Sequence, residues 1–233
     1  MAVKAVLVFS GGIDSVCTAA RLSNYDIYGI TFSYGQRAGP EIGAARRLAG
    51  MLGMREHRVV DVGFMERLYG ASNVLTDPRA PMPGAFEYSI VVPVRNAVFL
   101  SVAAAWAYSI GAEMVAYGAH TGDMQYPDCR PAFAEALEGA LNLGEEDGIA
   151  QGVRRRVRVW SPYMDGISKG MLLRSGLEAL GDAIYGAWSC YLDGEEHCGT
   201  CESCRNRMAA FADAGIPDKT TYAPSSGSAG SSS

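Results

Sequence analysis

The sequence predicts an α/β protein with a doubly wound parallel sheet, and three observations indicate this fold class. Short apolar runs typical of strands alternate with segments whose apolar residues recur at helical spacing. The first of these runs leads directly into a turn of serine and glycine, as when a parallel strand is followed by a helix. In addition, 48% of the 233 residues are hydrophobic, which is enough to bury one sizeable core.

The first half of the chain predicts three strands and two helices. Lys4–Phe9 is a strand-like run, and Ile13–Leu22 then carries apolar side chains at helical spacing. The pattern recurs as the strand Ile27–Ser33, the helix Glu41–Leu52 and the strand Arg58–Val62. Because parallel strands need crossover connections, this alternation predicts helices on both faces of the sheet.

The second half is less regular at its start. Periodicity fades from Gly63 to Pro93, where prolines cluster, and we expect a mobile loop near the site. The apolar stretch Ala97–Ala112 is shorter than a bilayer span and overlaps a predicted buried helix, Arg95–Ile110. The remaining predicted elements are the strand Glu113–Gly118, the helix Phe133–Leu143, the strand Val153–Val159 and the helix Ile167–Leu180.

Composition divides the chain into one main domain and a small appendage. We expect the main domain over residues 1–186, a metal-binding C-terminal segment over 187–222, and a disordered tail over 223–233, which is nearly all serine, glycine and alanine. The run Arg154–Arg156 is flanked by valines at alternate positions, so we interpret it as part of a half-solvated strand with no functional role.

The net charge and the first residues of the chain limit the expected partners and the expected cellular location. The formal net charge of −5 disfavours a polyanionic partner, so we expect a small-molecule substrate and no nucleic acid. The chain begins directly with the first strand, without the pattern of a signal peptide, which predicts a cytoplasmic protein without a membrane partner.

The turn Ser10–Ser15 has the features of a phosphate-binding loop. It lies between the first strand and the first helix, where unpaired N–H groups and the helix dipole favour an anion. Gly11 and Gly12 allow the backbone to approach a phosphate, and the hydroxyls of Ser10 and Ser15 can donate to its oxygens. A plain helix cap is the alternative interpretation.

Four of the six cysteines are close in sequence, which in a reducing compartment indicates metal ligation. The spacing C-x7-C-x2-C-x2-C suits a closed, tetrahedral, structural zinc site, with His197 outside it. An iron–sulfur cluster is the rival interpretation, although the upstream fourth ligand does not match the usual spacing. The predicted zinc ligands are Cys190, Cys198, Cys201 and Cys204.

The S-G-G-x-D-S turn resembles the PP-loop, and further segments resemble the 7-cyano-7-deazaguanine (preQ0) synthases, the QueC family of PP-loop ATP-pyrophosphatases. These segments are Thr31–Arg37, Val92–Ser101, Tyr126–Arg130 and the cysteine cluster. The resemblance implies that ATP is cleaved between its α- and β-phosphates and that a deazapurine carboxylate is adenylated, amidated with ammonia and converted to a nitrile. The implied ATP-binding residues are Phe9, Ser10, Gly11, Gly12, Ile13, Asp14 and Ser15.

The same resemblance suggests catalytic and substrate-binding residues. Asp14 is the candidate for holding Mg²⁺ near the phosphates, and the catalytic cations are Arg37, Arg95 and Lys169, although a solvated surface role is the alternative for any one of them. Because one carboxylate can accept both N–H groups of a guanine-like edge, Asp123 and Asp128 suit the substrate, while Asp128 organising a turn is the alternative. The full substrate set is Asp123, Tyr126, Asp128 and Arg130.

Two positions depart from the family pattern and keep other functions open. Ala38 stands where histidine is usual, and Val94 where glycine is common. A related enzyme that passes the activated deazapurine to a protein amine is therefore an alternative, as are a PP-loop enzyme that modifies tRNA and a non-catalytic ATP sensor. We interpret Cys129 as a packed or substrate-shaping residue, since no histidine near it in sequence activates the thiol. A homodimer is the expected assembly.

Overall fold

A computed structural model describes residues 2–70, 73–77 and 79–224, and it confirms the predicted fold class. Five parallel strands form one sheet in the order β3-β2-β1-β4-β5. The predicted tail lies outside the described residues from position 225 onward. The strands are β1 (Lys4–Val8), β2 (Asp26–Ser33), β3 (Glu56–Asp61), β4 (Met114–Ala116) and β5 (Arg158–Trp160).

Helices connect the strands, as the alternating pattern predicts. The order of the strands reverses direction at β1, where β2 and β3 lie to one side and β4 and β5 to the other. Ligands of such sheets bind at this switch point, outside the carboxyl ends of the strands. The helices are α1 (Ile13–Arg21), α2 (Gly39–Met51), α3 (Phe64–Tyr69), α4 (Arg95–Ile110), α5 (Pro131–Gly144), α6 (Glu146–Ala150), α7 (Lys169–Leu180) and α8 (Glu202–Ala214).

Each face of the sheet has its own hydrophobic core. Successive side chains of a strand point to opposite faces, so Ala5 and Leu7 of β1 pack into one cluster and Val6 packs into the other. The first cluster contains buried residues of α1, α2, α7 and α8, and the second contains those of α4. The apolar runs thus become a sheet covered on both faces, as doubly wound folds require.

The apolar helix α4 packs against the sheet. Among the described residues, one stretch, Tyr88–Ile110, is long and apolar enough to cross a membrane, with 23 residues and a mean hydropathy of 1.7. Its side chains Leu100, Ala103 and Ala107 are at most 1% exposed and belong to the second core cluster. Burial against β1 and β4 accounts for the apolar composition, in agreement with the predicted buried helix.

Two predicted segments were wrong in part. The predicted mobile loop 63–93 begins with the helix α3, whose Met65 is buried in the second core cluster. The predicted strand Val153–Val159 forms a strand only from Arg158 onward, because the N–H groups of Val153 and Arg154 donate to Gly148 O of α6. Val153 is 66% exposed as a result, and α6 itself was not predicted.

The C-terminal segment is packed into the main body of the protein. Cys190, Cys201, Cys204 and Phe211 belong to the same hydrophobic cluster as β1. The side chain of Arg207 is only 1% exposed, and its hydrogen bonds go to the O atom of residue 187, the hydroxyl of residue 189 and the hydroxyl of residue 220. The division into a domain over 1–186 and a segment over 187–222 stays a prediction.

Candidate active site

The loop between β1 and α1 has the backbone conformation that its glycines predict. Gly11 has a φ of +85°, and a Cβ atom there would lie 2.5 Å from Ala45 N and 2.6 Å from Glu41 O of α2. Only glycine fits such a position. Gly118, after β4, approaches the same loop so closely that a Cβ would lie 3.0 Å from Ser15 N. The loop is therefore held between α2 and the end of β4.

Serine side chains organise the loop from within. Ser15 Oγ accepts the N–H of Gly11 at 3.2 Å and donates to Gly12 O at 2.9 Å. Ser10 Oγ accepts the N–H of Gly12 at 3.1 Å. The two hydroxyls are 3.3 Å apart. Because Ser10, Gly12 and Ser15 all line a cleft at this point, these groups can be redirected to an incoming phosphate.

The cleft has a volume of about 290 Å³ and lies at the carboxyl edge of the sheet. Most of the predicted ATP-binding, catalytic and substrate-binding residues line this cleft. Phe9, Gly11 and Arg130 are not among its lining residues, since Phe9 and Gly11 are buried and the exposed Arg130 donates through Nε to Met124 O. The predicted residues that line it are Ser10, Gly12, Ile13, Asp14, Ser15, Arg37, Arg95, Asp123, Tyr126, Asp128 and Lys169.

Asp14 and Lys169 form an ion pair beside the phosphate loop. Lys169 Nζ, at the first residue of α7, lies 3.0 Å from Asp14 Oδ2. Burial alone would raise the pKa of Asp14, but Lys169 and His120 hold the pKa of this carboxyl below its usual value. Burial would likewise lower the pKa of Lys169, and Asp14 with Asp123 raises it instead. Both groups are therefore charged at neutral pH.

His120 is a residue of this site that the sequence did not predict. Its Nδ1 accepts the N–H of Gly122, and its Nε2 lies 3.5 Å from Asp14 Oδ1. Asp123 Oδ2 accepts the backbone N–H of His120 at 2.9 Å, which closes a capping box around this turn. Although burial would lower the pKa of His120, Asp14 raises it. A histidine that follows a strand at its carboxyl end was the signal in the sequence.

Arg95 lies at the other side of the cleft, at the first residue of α4. Its guanidinium is 5.9 Å from the ring centre of Tyr34, and Nη1 lies 3.4 Å from the Tyr34 hydroxyl. Burial would lower the pKa of Arg95, whereas Tyr34 and Asp128 raise it further above its already high value. A half-buried, permanently charged guanidinium of this kind suits an anionic ligand.

Arg37 has a different environment from the other two predicted cations. Its Nη1 donates to Ala80 O at 2.9 Å and to Val74 O and Asp77 O at 3.3 Å each. The guanidinium therefore fastens the segment after α3 to the rim of the cleft, which it also lines. The Arg37 side chain would have to break these hydrogen bonds in order to contact ATP.

Glu41 was also missed by sequence reasoning, although it follows Arg37 by four residues. It stands in the first turn of α2 and lines the cleft. Burial raises its pKa to about 7, opposed by the charge of Arg95 and by hydrogen bonds from Ser10 and Gln36. A carboxyl group that is half protonated near neutral pH thus lies next to the phosphate loop.

The Tyr126–Arg130 segment meets the start of α4. Asp128 Oδ2 accepts the N–H of Asn96 at 3.3 Å, and the Asn96 side chain lies 3.5 Å from Cys129 Sγ. Burial raises the pKa of the Cys129 thiol well above its usual range, so the group is a neutral thiol and not a thiolate. This environment, together with the position of Cys129 in the wall of the cleft, agrees with the interpretation of Cys129 as a packed or substrate-shaping residue.

A buried glutamate closes the cleft on the side of the cysteine cluster. Glu202 is 4% exposed, lines the cleft, and accepts hydrogen bonds from Tyr191 Oη at 2.9 Å and from Asn206 Nδ2. Tyr126 lines the same end. Glu202 follows Cys201 directly, so the fold of the cysteine cluster determines where this carboxylate lies. No pattern in the sequence indicated its burial.

The four predicted cysteines converge as a metal site requires. Their sulfur atoms all lie within 4.8 Å of one another, and Cys198 Sγ is 3.9 Å from Cys204 Sγ. Tetrahedral zinc with bonds of about 2.3 Å places two sulfurs about 3.8 Å apart. Backbone N–H groups donate to Sγ of Cys190, Cys198 and Cys201, as second-shell donors do around thiolates. The residues therefore fit a structural zinc ion.

His197 lies outside this cluster, as predicted. Its Nε2 accepts the N–H of Ser189 at 3.0 Å, and its ring packs on Trp188. Trp188 N in turn donates to Gly11 O at 3.0 Å. The cysteine segment is thereby connected to the phosphate loop by one backbone hydrogen bond.

The two departures noted in the sequence have different structural settings. Val94 has a φ of 50°, in the left-handed region that favours glycine, immediately before α4. Its side chain is 66% exposed. Ala38 is 6% exposed and lines the cleft just before α2. The first departure thus strains the backbone, and the second leaves a small apolar group at the cleft.

A parallel α/β sheet with a phosphate loop at its switch point and an adjoining four-cysteine site defines a nucleotide-binding protein of the PP-loop type. Residues 4–215 match the family model described as queuosine biosynthesis protein QueC. Curated relatives named 7-cyano-7-deazaguanine synthase are 42% identical over 228 residues in Aromatoleum aromaticum, 41% over 231 in Azotobacter vinelandii and 39% over 230 in Cupriavidus necator. These alignments cover 94–95% of this chain and 97–98% of the relatives.

The chain therefore belongs to the QueC family of queuosine biosynthesis proteins. This membership confirms the resemblance on which the site residues were predicted. It also covers the cysteine cluster, because the matched range extends past Cys204. The roles of individual residues stay predictions.

Proposed function

We propose that the protein is an ATP-dependent carbon–nitrogen ligase that converts 7-carboxy-7-deazaguanine and ammonia to 7-cyano-7-deazaguanine, with AMP and pyrophosphate as products. The observation that carries the proposal is the single cleft in which the phosphate loop faces the Tyr126–Arg130 segment. The names of the relatives, which share about two fifths of their residues with this chain, supply the product, and the family resemblance implies the carboxylate substrate.

The phosphate loop and its neighbours activate the carboxylate. Gly11 and Gly12 N–H groups with the Ser10 and Ser15 hydroxyls bind the departing pyrophosphate, whose accumulating charge needs fixed donors. Lys169 extends this set, because its ammonium is held beside the loop by Asp14. The carboxylate oxygens of Asp14 fit Mg²⁺, a hard cation that would neutralise phosphate charge when bound.

The far end of the cleft binds the deazapurine. The Arg95 guanidinium pairs with the substrate carboxylate before adenylation, and the Asp128 carboxylate accepts N–H groups of the guanine-like edge. Tyr126 supplies an aromatic surface at the same end. We place Glu202 there as a second acceptor, since it is buried among hydroxyl and amide donors at this wall. Arg130 acts indirectly by fixing the turn through Met124 O.

In both ATP-dependent stages, ATP converts a poor leaving group into a good one. A carboxylate is a poor electrophile, so AMP is attached to it as a leaving group and ammonia then replaces AMP to form the amide. The amide oxygen leaves as part of a phosphoryl ester after a second activation, and the nitrile remains. Zinc bound by the four cysteines is structural in this scheme, since four thiolates leave no position for a reactant.

Incubation with ATP, Mg²⁺, ammonium and 7-carboxy-7-deazaguanine tests the proposal. Mass spectrometry should detect 7-cyano-7-deazaguanine, AMP and pyrophosphate. ADP and phosphate as the only nucleotide products would contradict the mechanism. AMP release with the deazapurine attached to a protein amine would retain adenylation and change the acceptor. We further propose a cytoplasmic homodimer that binds no nucleic acid, consistent with the acidic net charge of −5.

A further inference from the structure

A second cavity of about 500 Å³ lies beside the active-site cleft. Its walls are the turn Thr121–Asp123, the beginning of α7 and one face of α8. Residues at its rim are exposed to solvent, among them Gln125, Ala209, Asp213 and Met171, whose side chain is 49% exposed. This cavity therefore has its own opening to solvent.

The two cavities meet at a common wall. Asp123, Lys169 and Asn206 line both of them. Lys169 is one of the three residues of this wall, and its Nζ donates to Asp14 Oδ2 beside the phosphate loop. The second cavity thus ends within one side chain of the place where ATP phosphates and the substrate carboxylate have to react.

The size of the cleft creates a need for a second route. About 290 Å³ is at the lower end of the volumes that hold one drug-sized ligand, yet ATP and a bicyclic carboxylic acid must both occupy it for adenylation. We therefore expect the acyl adenylate and pyrophosphate together to fill the cleft. A third reactant then has to approach from another side.

We propose that the second cavity is the entry route for ammonium, which delivers the nitrogen to the acyl adenylate; this inference rests on the function proposed above. Asp213 at the rim and Asp123 at the inner end supply carboxylates that attract a small cation, and the positive charge of Lys169 in the common wall is paired with Asp14. The Arg174 guanidinium on the same wall is engaged, because Nε and Nη2 donate to Ala214 O at 3.2 and 3.0 Å.

The chemistry at the inner end balances without a further reactant. Ammonium loses one proton to water in the cavity, and the ammonia formed attacks the acyl carbon. A C–N bond forms and the C–O bond to AMP breaks, with its electron pair leaving on the AMP phosphate. The nitrogen then loses a second proton through the same opening, and the amide remains in the cleft.

Obstruction of the cavity tests the route. Ala209→Trp places an indole on the exposed face of α8 within the cavity, and Gln125→Trp obstructs the opposite rim. We expect the KM for ammonium in amide formation to rise about tenfold in each variant. The KM for ATP and the rate of ATP–pyrophosphate exchange without ammonium should stay within twofold of wild type, since neither needs the second cavity.

Ala212→Trp is the matched control, because Ala212 is exposed on the same helix and lines neither cavity. An unchanged ammonium KM in both cavity variants, or an equal rise in the control, would overturn the route. So would a parallel rise in the KM for ATP. Wild-type protein that fails to exchange pyrophosphate into ATP would instead overturn the proposed function, which separates the two failures.

Discussion

The Asp14 carboxylate has two partners, the Lys169 ammonium and the His120 imidazole, whose positions come from distant parts of the chain. Lys169 belongs to α7 and His120 follows β4, yet both reach the loop after β1. Without such partners, burial would raise the pKa of this carboxyl and favour its neutral form. The ion pair therefore stabilises the site before any ligand binds and leaves Lys169 oriented toward the phosphates.

Replacement of Asp14 and Asp128 should produce separable defects. Asp14→Asn keeps the shape of the side chain and removes the charge that orients Lys169, so we expect ATP–pyrophosphate exchange to fall about 100-fold. Asp128→Ala should mainly raise the KM for the deazapurine, because it removes the proposed acceptor of its N–H groups. Steady-state kinetics with each substrate varied checks both, and identical kinetic profiles would contradict the assigned roles.

The pKa of the Glu41 carboxyl group is raised in the folded protein, which makes stability depend on pH. Burial raises its pKa to about 7 from an ordinary value of 4.5, so the folded state retains a proton that the unfolded chain loses. Stability from this group is therefore highest below pH 4.5, declines as the pH rises from 4.5 to 7, and is constant above that range.

Glu41→Gln should remove that decline. At pH 8 the free energy of unfolding of the variant should exceed that of the wild type by up to roughly 3 kcal/mol. Near pH 4 the two free energies of unfolding should be equal. Urea denaturation across this pH range measures the effect. Glu178→Gln, at an exposed position on α7, is the control and should change little. A constant difference between Glu41→Gln and wild type at every pH would argue against a raised pKa.

At the scale of the elements, helix α4 begins after a strained residue. Val94 adopts the left-handed conformation, and Val98 N donates to its carbonyl oxygen as the helix starts. A β-branched side chain in this region costs about 1–2 kcal/mol. The strain sets the exit direction of the chain immediately before Arg95 and Asn96, which line the cleft.

Val94→Gly should relieve the strain. Glycine adopts this φ freely but also gains freedom in the unfolded chain, so we expect a net stabilisation of about 0.5–1 kcal/mol. Val94→Ala is the control, because alanine keeps the Cβ and most of the penalty. Denaturant midpoints of the three proteins check the order. If alanine and glycine stabilise equally, the backbone conformation at residue 94 is not the cause.

Elements and motifs that depend on local sequence were predictable, and groups assembled by packing were not. The phosphate loop is coded within the short segment Ser10–Ser15 and the four cysteines within the segment Cys190–Cys204, so their positions followed from the sequence. Glu41 and Glu202 enter the cleft because α2 and α8 pack where they do, which no local spacing encodes. The strand predicted from Val153 failed because a turn after α6 captured its first N–H groups.

At the scale of the whole molecule, the cysteine segment belongs to the core that carries the site. Cys201 and Cys204 share a hydrophobic cluster with Leu7 of β1, and Trp188 N bonds to Gly11 O in the phosphate loop. Metal binding and the conformation of the loop are therefore coupled through covalent and packed neighbours. Loss of the metal should affect the entire fold and not a detached appendage.

Removal of zinc should accordingly destabilise the protein in one cooperative transition. Purified protein should contain one zinc per chain, and Cys201→Ser should lose it, because three thiolates no longer close the tetrahedron. With several kcal/mol of metal-linked stability lost, the Tm should fall by about 10 °C or more, and pyrophosphate exchange should fall with it. Chelation of the wild type should reproduce the shift, and added zinc should reverse it. Two separate melting transitions, or a brown protein with bound iron, would contradict the coupling and the identity of the metal respectively.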